Sequence, residues 1–281
     1  MNIKALEKEY IQSLSHFYDN DEAKAIFNLA ASSVLKVTKS QLVIDKEKEI
    51  LAKDSNKLSK ILTDLKTGKP VQQVLGETIF YGLPFKVTSN VLIPRPETEE
   101  LVDWVINNVK DKKESLLDIG TGSGCIPIVL KKHLPHLDVS SIDISSEALK
   151  VAAENAQLNK ININLIEADI LKYSTDKMYD VIVSNPPYIR ELEKAEMHEN
   201  VLIHEPHTAL FVSDENPLIF YKAIADFALS NLNPNGYLFF EINEYLWEET
   251  LQILIDKRFK NIELKKDMQG KDRMIMARTN P

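Results

Sequence analysis

The sequence predicts an α/β fold, a mostly parallel sheet with helices on both faces, preceded by a small helical bundle. Three observations predict it. From Ser115 onward, short β-prone runs alternate with helical stretches, the pattern of parallel strands joined by helical crossovers. LLDIGTGSGCIPIVL, residues 116–130, passes from a buried strand through a glycine loop into a helix, the place where such sheets bind ligands. Residues 2 to about 67, by contrast, carry apolar residues at helical spacing only.

In chain order, Leu6, Tyr10, Leu14 and Phe17 form one helical stripe. Ile26, Leu29, Ala30 and Val34 form a second, after the acidic start Asp19, Asp21, Glu22. Ser55 caps a last helix through Leu58, Ile61, Leu62 and Leu65, with Gly68 past its end. GKPVQQVLGE then leads into TIFYGLPFKVT, two β-prone runs divided by Gly82 and Pro84, a hairpin. An extended Pro-x-Pro segment precedes a helix from Glu97 to Val109. Strands are expected at SLLDI, VSSIDI, INLIEA, YDVIVS, GYLFFEI, IELKKD and RMIMAR, with helices after each of the first five. The expected domains are therefore residues 1–75, a helical unit; 76–95, a hairpin linker; and 96–281, the α/β domain.

Composition narrows the class. With 281 residues, 44% hydrophobic and 27% charged, the chain is an ordinary globular protein. No apolar run approaches a membrane span, and MNIKALEKEYIQSL lacks the apolar core of a signal peptide, so the expectation is a cytoplasmic protein with no membrane partner. A single cysteine, Cys125, excludes a disulfide framework and a cysteine-cluster metal site. The net charge is −8, and the acid is concentrated after residue 75, where 22 basic residues meet 32 acidic ones. A nucleic-acid backbone is thus disfavoured as the main partner, because neutralising phosphates requires clustered Lys and Arg.

Chemistry is expected at four successive strand ends. Gly120, Gly122 and Gly124, with Thr121 and Ser123 between them, let backbone and ligand approach closely. A dinucleotide fingerprint needs its third glycine at 125, where Cys125 stands, so the loop favours a ligand without a pyrophosphate. Asp143 ends the second strand, where a carboxylate accepts both hydroxyls of a ribose; alone, it would read equally well as a helix N-cap. Asp169 follows the third strand within reach of an adenine amine, and Ile170 suits the face of its ring. The fourth strand, DVIV, stops in SNPPYI. Pro186 and Pro187 end it and hold the chain extended. Asn185 and the Pro186 main chain offer carbonyls, and Tyr188 offers a flat face, a set suited to a planar group bearing an NH2. A Pro-Pro turn with an Asn is also a plain strand terminator. The six histidines show no spacing that makes a shared metal site.

The four strand ends together resemble the S-adenosylmethionine-dependent methyltransferase fold, whose Rossmann-like sheet has seven strands, the last antiparallel. GxPxQxxxGxxxFYGxxFxV from Gly68, VLIPRPETEELV at 91–102, SNPPYI, EPHTAL at 205–210 and DMQGKDR at 267–273 resemble the peptide chain release factor glutamine methyltransferase family over nearly all of residues 68–281. EINEYL at 241–246 and FVSDENPL at 211–218 depart from its usual pattern. The resemblance implies transfer of a methyl group from S-adenosylmethionine, leaving S-adenosylhomocysteine, to the glutamine amide of the Gly-Gly-Gln motif in bacterial class I release factors. It implies cofactor contacts at Gly120, Thr121, Gly122, Ser123, Gly124, Asp143, Ile170 and Asn185, to which the strand-end reading adds Asp169, and places the catalytic glutamine site at Asn185, Pro186, Pro187 and Tyr188. The helical unit becomes the substrate-recognition domain, and the enzyme is expected to act as a monomer without direct nucleic-acid contact. Competing readings are methylation of a ribosomal-protein glutamine or a nucleic-acid amine, and a non-catalytic module that binds a translation factor.

Overall fold

The structure, a computed structural model, describes residues 1–109 and 114–280; residues 110–113 and 281, all inside the expected 96–281 domain, lie outside the described residues. The described residues divide into two compact units, 1–77 with 198–204, and 78–197 with the chain from 205 on.

The first unit is helical: α1 (Ile3–Leu14), α2 (Asn20–Leu35), α3 (Lys39–Ile44), α4 (Ala52–Leu65) and α5 (Val71–Leu75). Side-chain oxygens of Asn2, Asp19 and Thr38 cap the first three by accepting from the backbone of the first turn. The core gathers Leu6, Tyr10, Leu14, Phe27, Ala30, Leu58 and Leu62, and the Tyr10 hydroxyl is satisfied by the Leu58 carbonyl at 2.7 Å. Two stripe residues are corrected. Phe17 lies beyond the end of α1, so helical spacing no longer turns it inward, and Leu29 is 49% exposed because the buried face of α2 runs through Ala23, Ile26, Phe27 and Ala30. The cap at Ser55 is also corrected: α4 starts at Ala52, since Ala-Lys-Asp continue a helix and Asp54 favours its positive end. Gly68 closes the helix as expected, at φ +80°.

Apart from Glu77, the hairpin of β1 (Glu77–Phe80) and β2 (Leu83–Lys86) opens the second unit and turns through Tyr81 and Gly82, both at positive φ. Then follow α6 (Pro96–Asn108), β3 (Ser115–Ile119), α7 (Cys125–His133), β4 (Asp138–Asp143), α8 (Ser146–Asn159), β5 (Asn164–Glu167), β6 (Tyr179–Ser184) and β7 (Ile189–Arg190). Next along the chain are α9 (Glu199–His204), which belongs to the helical unit, α10 (His207–Leu210), β8 (Phe211–Val212), α11 (Ile219–Asn231), β9 (Leu232–Glu241), α12 (Trp247–Asp256), β10 (Lys260–Lys266) and β11 (Asp272–Arg278).

Seven strands form one sheet in the order β10-β11-β9-β6-β3-β4-β5. Pairings from β5 through β9 are parallel, and β11 enters antiparallel between β9 and β10. The expected sheet and its reversed last strand are both present. In the central strand β6, Val181, Ile182 and Val183 are fully buried because helices cover both faces, while the aliphatic residues of the edge strands β5 and β10 are only partly buried. One expected helix is absent: residues 168–178 turn without forming one, because Asp169 accepts from Leu171 and the short Ser-Thr-Asp-Lys stretch that follows supplies turn chemistry. The hairpin is held on α8 by Asn155, whose amide takes the Lys86 N–H at 2.6 Å and donates to its carbonyl, and by Asn159, which donates to Pro84. No helix among the described residues is long and apolar enough to cross a membrane.

Candidate active site

The carboxyl ends of β3, β4 and β6 converge on a cavity of about 370 Å³, within the roughly 300–1,000 Å³ usual for small-molecule sites. Because β3 is central, the chain order reverses beside it, and a crevice opens where crossovers diverge. Gly120 and Gly122 line the cavity, as do Asp143, Asp169, Ile170, Asn185, Pro186 and Pro187. These eight expected residues are therefore brought to one place.

The glycine loop is held from below. Its N–H groups at Gly120 and Thr121 both reach the Ile142 carbonyl, and Gly122 N–H donates to Asp143 Oδ2 at 2.8 Å. Gly120, Gly122 and Gly124 all have positive φ, which a side chain would strain. Gly124 is further confined: a Cβ there would sit 3.1 Å from both Ala152 and Ile128. Thr121, Ser123 and Gly124 do not line the cavity. They build the loop instead, with Thr121 donating to Asp118 and the Ser123 carbonyl accepting from Asn155 at 2.9 Å.

Asp143 is not the N-cap of α8; Ser145 is, accepting from Ala148. Asp143 takes the Ser145 N–H on Oδ1 and the Gly122 N–H on Oδ2, leaving lone pairs for a ligand. Burial pushes its carboxyl up from the ordinary range, and the backbone donors oppose that. Asp118, beneath the loop, is fully buried with Oδ1 lacking a partner among the described residues, and desolvation raises its carboxyl to about 7. A raised folded-state value means that between about pH 4 and pH 7 the unfolded chain has lost this proton and the folded chain keeps it, so stability falls as pH rises through that window. Asp118→Asn is expected to flatten that fall in melting temperature in the ligand-free protein; parallel curves for variant and wild type would show that the carboxyl is ionised in the fold. Cys125, at the start of α7, is buried, and desolvation pushes its thiol up to about 12, outweighing any help from the helix terminus.

Tyr188 does not line the cavity. Its hydroxyl donates to Glu241 Oε1 at 3.0 Å, and its carbonyl accepts from Asn243. Asn243 belongs to the EINEYL departure and is a structural tie, bonded also to Glu193. The FVSDENPL departure is equally ordered: β8 pairs with β7, and Asp214 accepts from Leu192. Two motifs that spacing alone could not connect meet here as well. Arg95 of IPRPETE pairs with the buried Glu205 of EPHTAL at 2.5 Å, and Glu205 also takes the Ile93 N–H, which fixes the wall carrying Leu92 and Pro206. DMQGKDR curls around Asp267, which accepts from Gln269, Lys271 and Arg273. No group of acids, histidines and cysteine suited to a metal is found among the described residues.

A cavity with glycine backbone on one side, a prepositioned carboxylate at the next strand end and aliphatic walls at Ile144, Ala148, Ile170 and Leu171 fits an adenosine carrying a small charged tail. The sheet order, the reversed β11 and this cavity define the S-adenosylmethionine-dependent methyltransferase class. A family model for the methyltransferase small domain matches residues 98–215. The fold is also similar to that of a methyltransferase from Pyrococcus furiosus, with a TM-score of 0.54 at 18% identity, covering 81% of this chain and all of that one. A release factor glutamine methyltransferase from Flavobacterium psychrophilum is 46% identical over 280 residues, 98% of either chain. Another from Bacteroides thetaiotaomicron is 40% identical over 270 residues, covering 95% of this chain and 96% of that one. The chain belongs to the release factor glutamine methyltransferase family.

Proposed function

We propose that this enzyme methylates the side-chain amide nitrogen of the glutamine in the Gly-Gly-Gln motif of bacterial class I release factors, with Asn185 and Pro186 receiving the amide. The observation that carries the reading is the turn after β6: Asn185 and Pro186 stand in the wall of the same cavity as the glycine loop and Asp143. Near-full-length relatives that bear the name of this activity support the choice of substrate over a ribosomal-protein glutamine or a nucleic-acid amine.

Amide nitrogen is a poor nucleophile because its lone pair is delocalised into the carbonyl. S-adenosylmethionine, when bound, supplies a methyl group already made electrophilic by its sulfonium. Gly120, Gly122, Asp143, Asp169 and Ile170 would hold it, and the task left to the chain is alignment. The Asn185 side-chain carbonyl and the Pro186 main-chain carbonyl would each accept one amide N–H and turn the nitrogen toward the cavity. As the nitrogen grows more acidic during transfer those bonds strengthen, which favours the transition state over the ground state, and the surplus N–H proton leaves after transfer to give the neutral methylated amide. Alignment of this kind supplies up to about 7–11 kcal/mol. Incubating purified release factor with the enzyme and cofactor should add a single methyl group, seen by intact mass and mapped by fragmentation to the motif glutamine. Methylation elsewhere, or none, would refute the proposal.

The same reading makes the helical unit the partner-selecting domain of a cytoplasmic monomer. Residues 1–75 are net positive beside an acidic remainder and hold none of the cavity residues. Deleting residues 1–70 should cripple methylation of whole release factor yet spare cofactor binding; equal activity would defeat the idea.

A further inference from the structure

An asparagine amide is nearly symmetric in shape, so a carbonyl aimed at a substrate needs something that tells its oxygen from its nitrogen. The chain supplies that through residues from three distant segments. Asn185 Nδ2 lies 3.3 Å from Thr98 Oγ1, at the start of α6, and Thr98 Oγ1 lies 2.7 Å from Glu241 Oε2, at the end of β9. Thr98 is 3% exposed and Glu241 2%, so water does not compete for these bonds.

With Glu241 ionised, the directions along this chain are forced. An ionised carboxylate only accepts, so Thr98 must spend its one hydroxyl proton on Glu241. Its oxygen can then only accept, and the group of Asn185 facing it must be the NH2. The Asn185 oxygen is thereby turned to the other side. Burial pushes the Glu241 carboxyl up; the hydroxyl donors Thr98 and Tyr188, the latter at 3.0 Å, and nearby Arg273, itself bonded to Asp267 at 3.0 Å, oppose that and favour the accepting carboxylate.

We infer that Thr98 and Glu241 are positioning residues that act through Asn185: the Glu241–Thr98–Asn185 relay fixes the amide with its carbonyl toward the glutamine substrate. Tyr188 and the Asp267–Arg273 pair support the acceptor end. The inference rests on the proposed glutamine site, and it gives PETE, FFE and DMQGKDR one shared purpose. It also separates Glu241 from general-base chemistry, since both of its oxygens are engaged by hydroxyl donors.

The test compares single-turnover methylation of a purified bacterial release factor by wild type, Thr98→Val, Thr98→Ser, Asn185→Ala and the Thr98→Val/Asn185→Ala double variant, with cofactor affinity measured by calorimetry on each. Thr98→Val is expected to slow transfer by about 10- to 100-fold, the scale of a misaimed reacting group, with cofactor affinity unchanged. Thr98→Ser, which keeps the hydroxyl, should restore most of the rate. In the Asn185→Ala background Thr98→Val should cost less than about twofold, because residues acting through one group are not additive. Glu241→Gln, which can donate to Thr98 and so permit the flipped amide, should also slow transfer. A wild-type rate for Thr98→Val or Glu241→Gln, a serine as poor as the valine, or the same cost in both backgrounds would overturn the relay. Methylation by wild type checks the substrate reading separately from these ratios.

Discussion

Asn185→Ala is expected to lower the single-turnover rate of methyl transfer by about 100- to 1,000-fold, the cost of removing one oriented hydrogen-bonding partner from an enclosed site. The loss should fall on the chemical step. With one carbonyl gone, the glutamine nitrogen keeps only the Pro186 acceptor and rotates away from the methyl group. The fold should survive, because Asn185 is only part-buried and its side chain is tied, among the described residues, through a bond to Thr98 at 3.3 Å. Asn185→Asp separates geometry from charge: it keeps an acceptor in place, but its carboxylate cannot donate to Thr98 and repels Glu241 behind it. It should therefore transfer slowly as well, although its acceptor count toward the substrate is intact. A wild-type rate for Asn185→Ala would reduce the turn to a strand terminator.

Asp143→Ala is expected to weaken S-adenosylmethionine binding by about 10- to 100-fold, the worth of one or two hydrogen bonds to a charged acceptor. The same carboxylate holds Gly122 N–H at 2.8 Å and Ser145 N–H at 2.9 Å, so truncation removes the ribose contact and loosens the glycine loop together. Asp143→Asn, which retains one oxygen, should fall between. Because Ser145 caps α8 by itself, the helix should remain, and circular dichroism should be unchanged. Unaltered affinity in calorimetry would leave Asp143 as a loop brace only.

The sheet was legible because its strands are short aliphatic runs punctuated by glycine, proline and helical stretches, and that pattern needs no long-range information. Site residues contributed by a strand end were legible for the same reason: Gly120, Asp143 and Asn185 each follow an apolar run that stops abruptly. What the sequence hid is what depends on meeting across the fold. Tyr188 reads as a flat face beside a turn, yet its hydroxyl is spoken for by Glu241, 53 positions away. Thr98 reads as one polar residue in a helix start, and only the approach of β9 to β6 reveals it as a link to Asn185. Thr121 and Ser123 share the glycine loop's motif but face the protein rather than the cavity, since each side chain in a tight loop points where the φ of its neighbours sends it. The absent helix after β5 shows the limit of the alternating pattern: eleven residues with Asp169 capping a turn connect two strands without one.

The measurement that bears most directly on the account is single-turnover methyl transfer by the wild-type enzyme to two purified release factors, one intact and one with the motif glutamine changed to alanine. The cradle at Asn185 and Pro186 predicts rapid transfer of one methyl group to the intact protein and none to the altered one. Equal methylation of both would contradict it, because the acceptor would then be a group other than the glutamine amide.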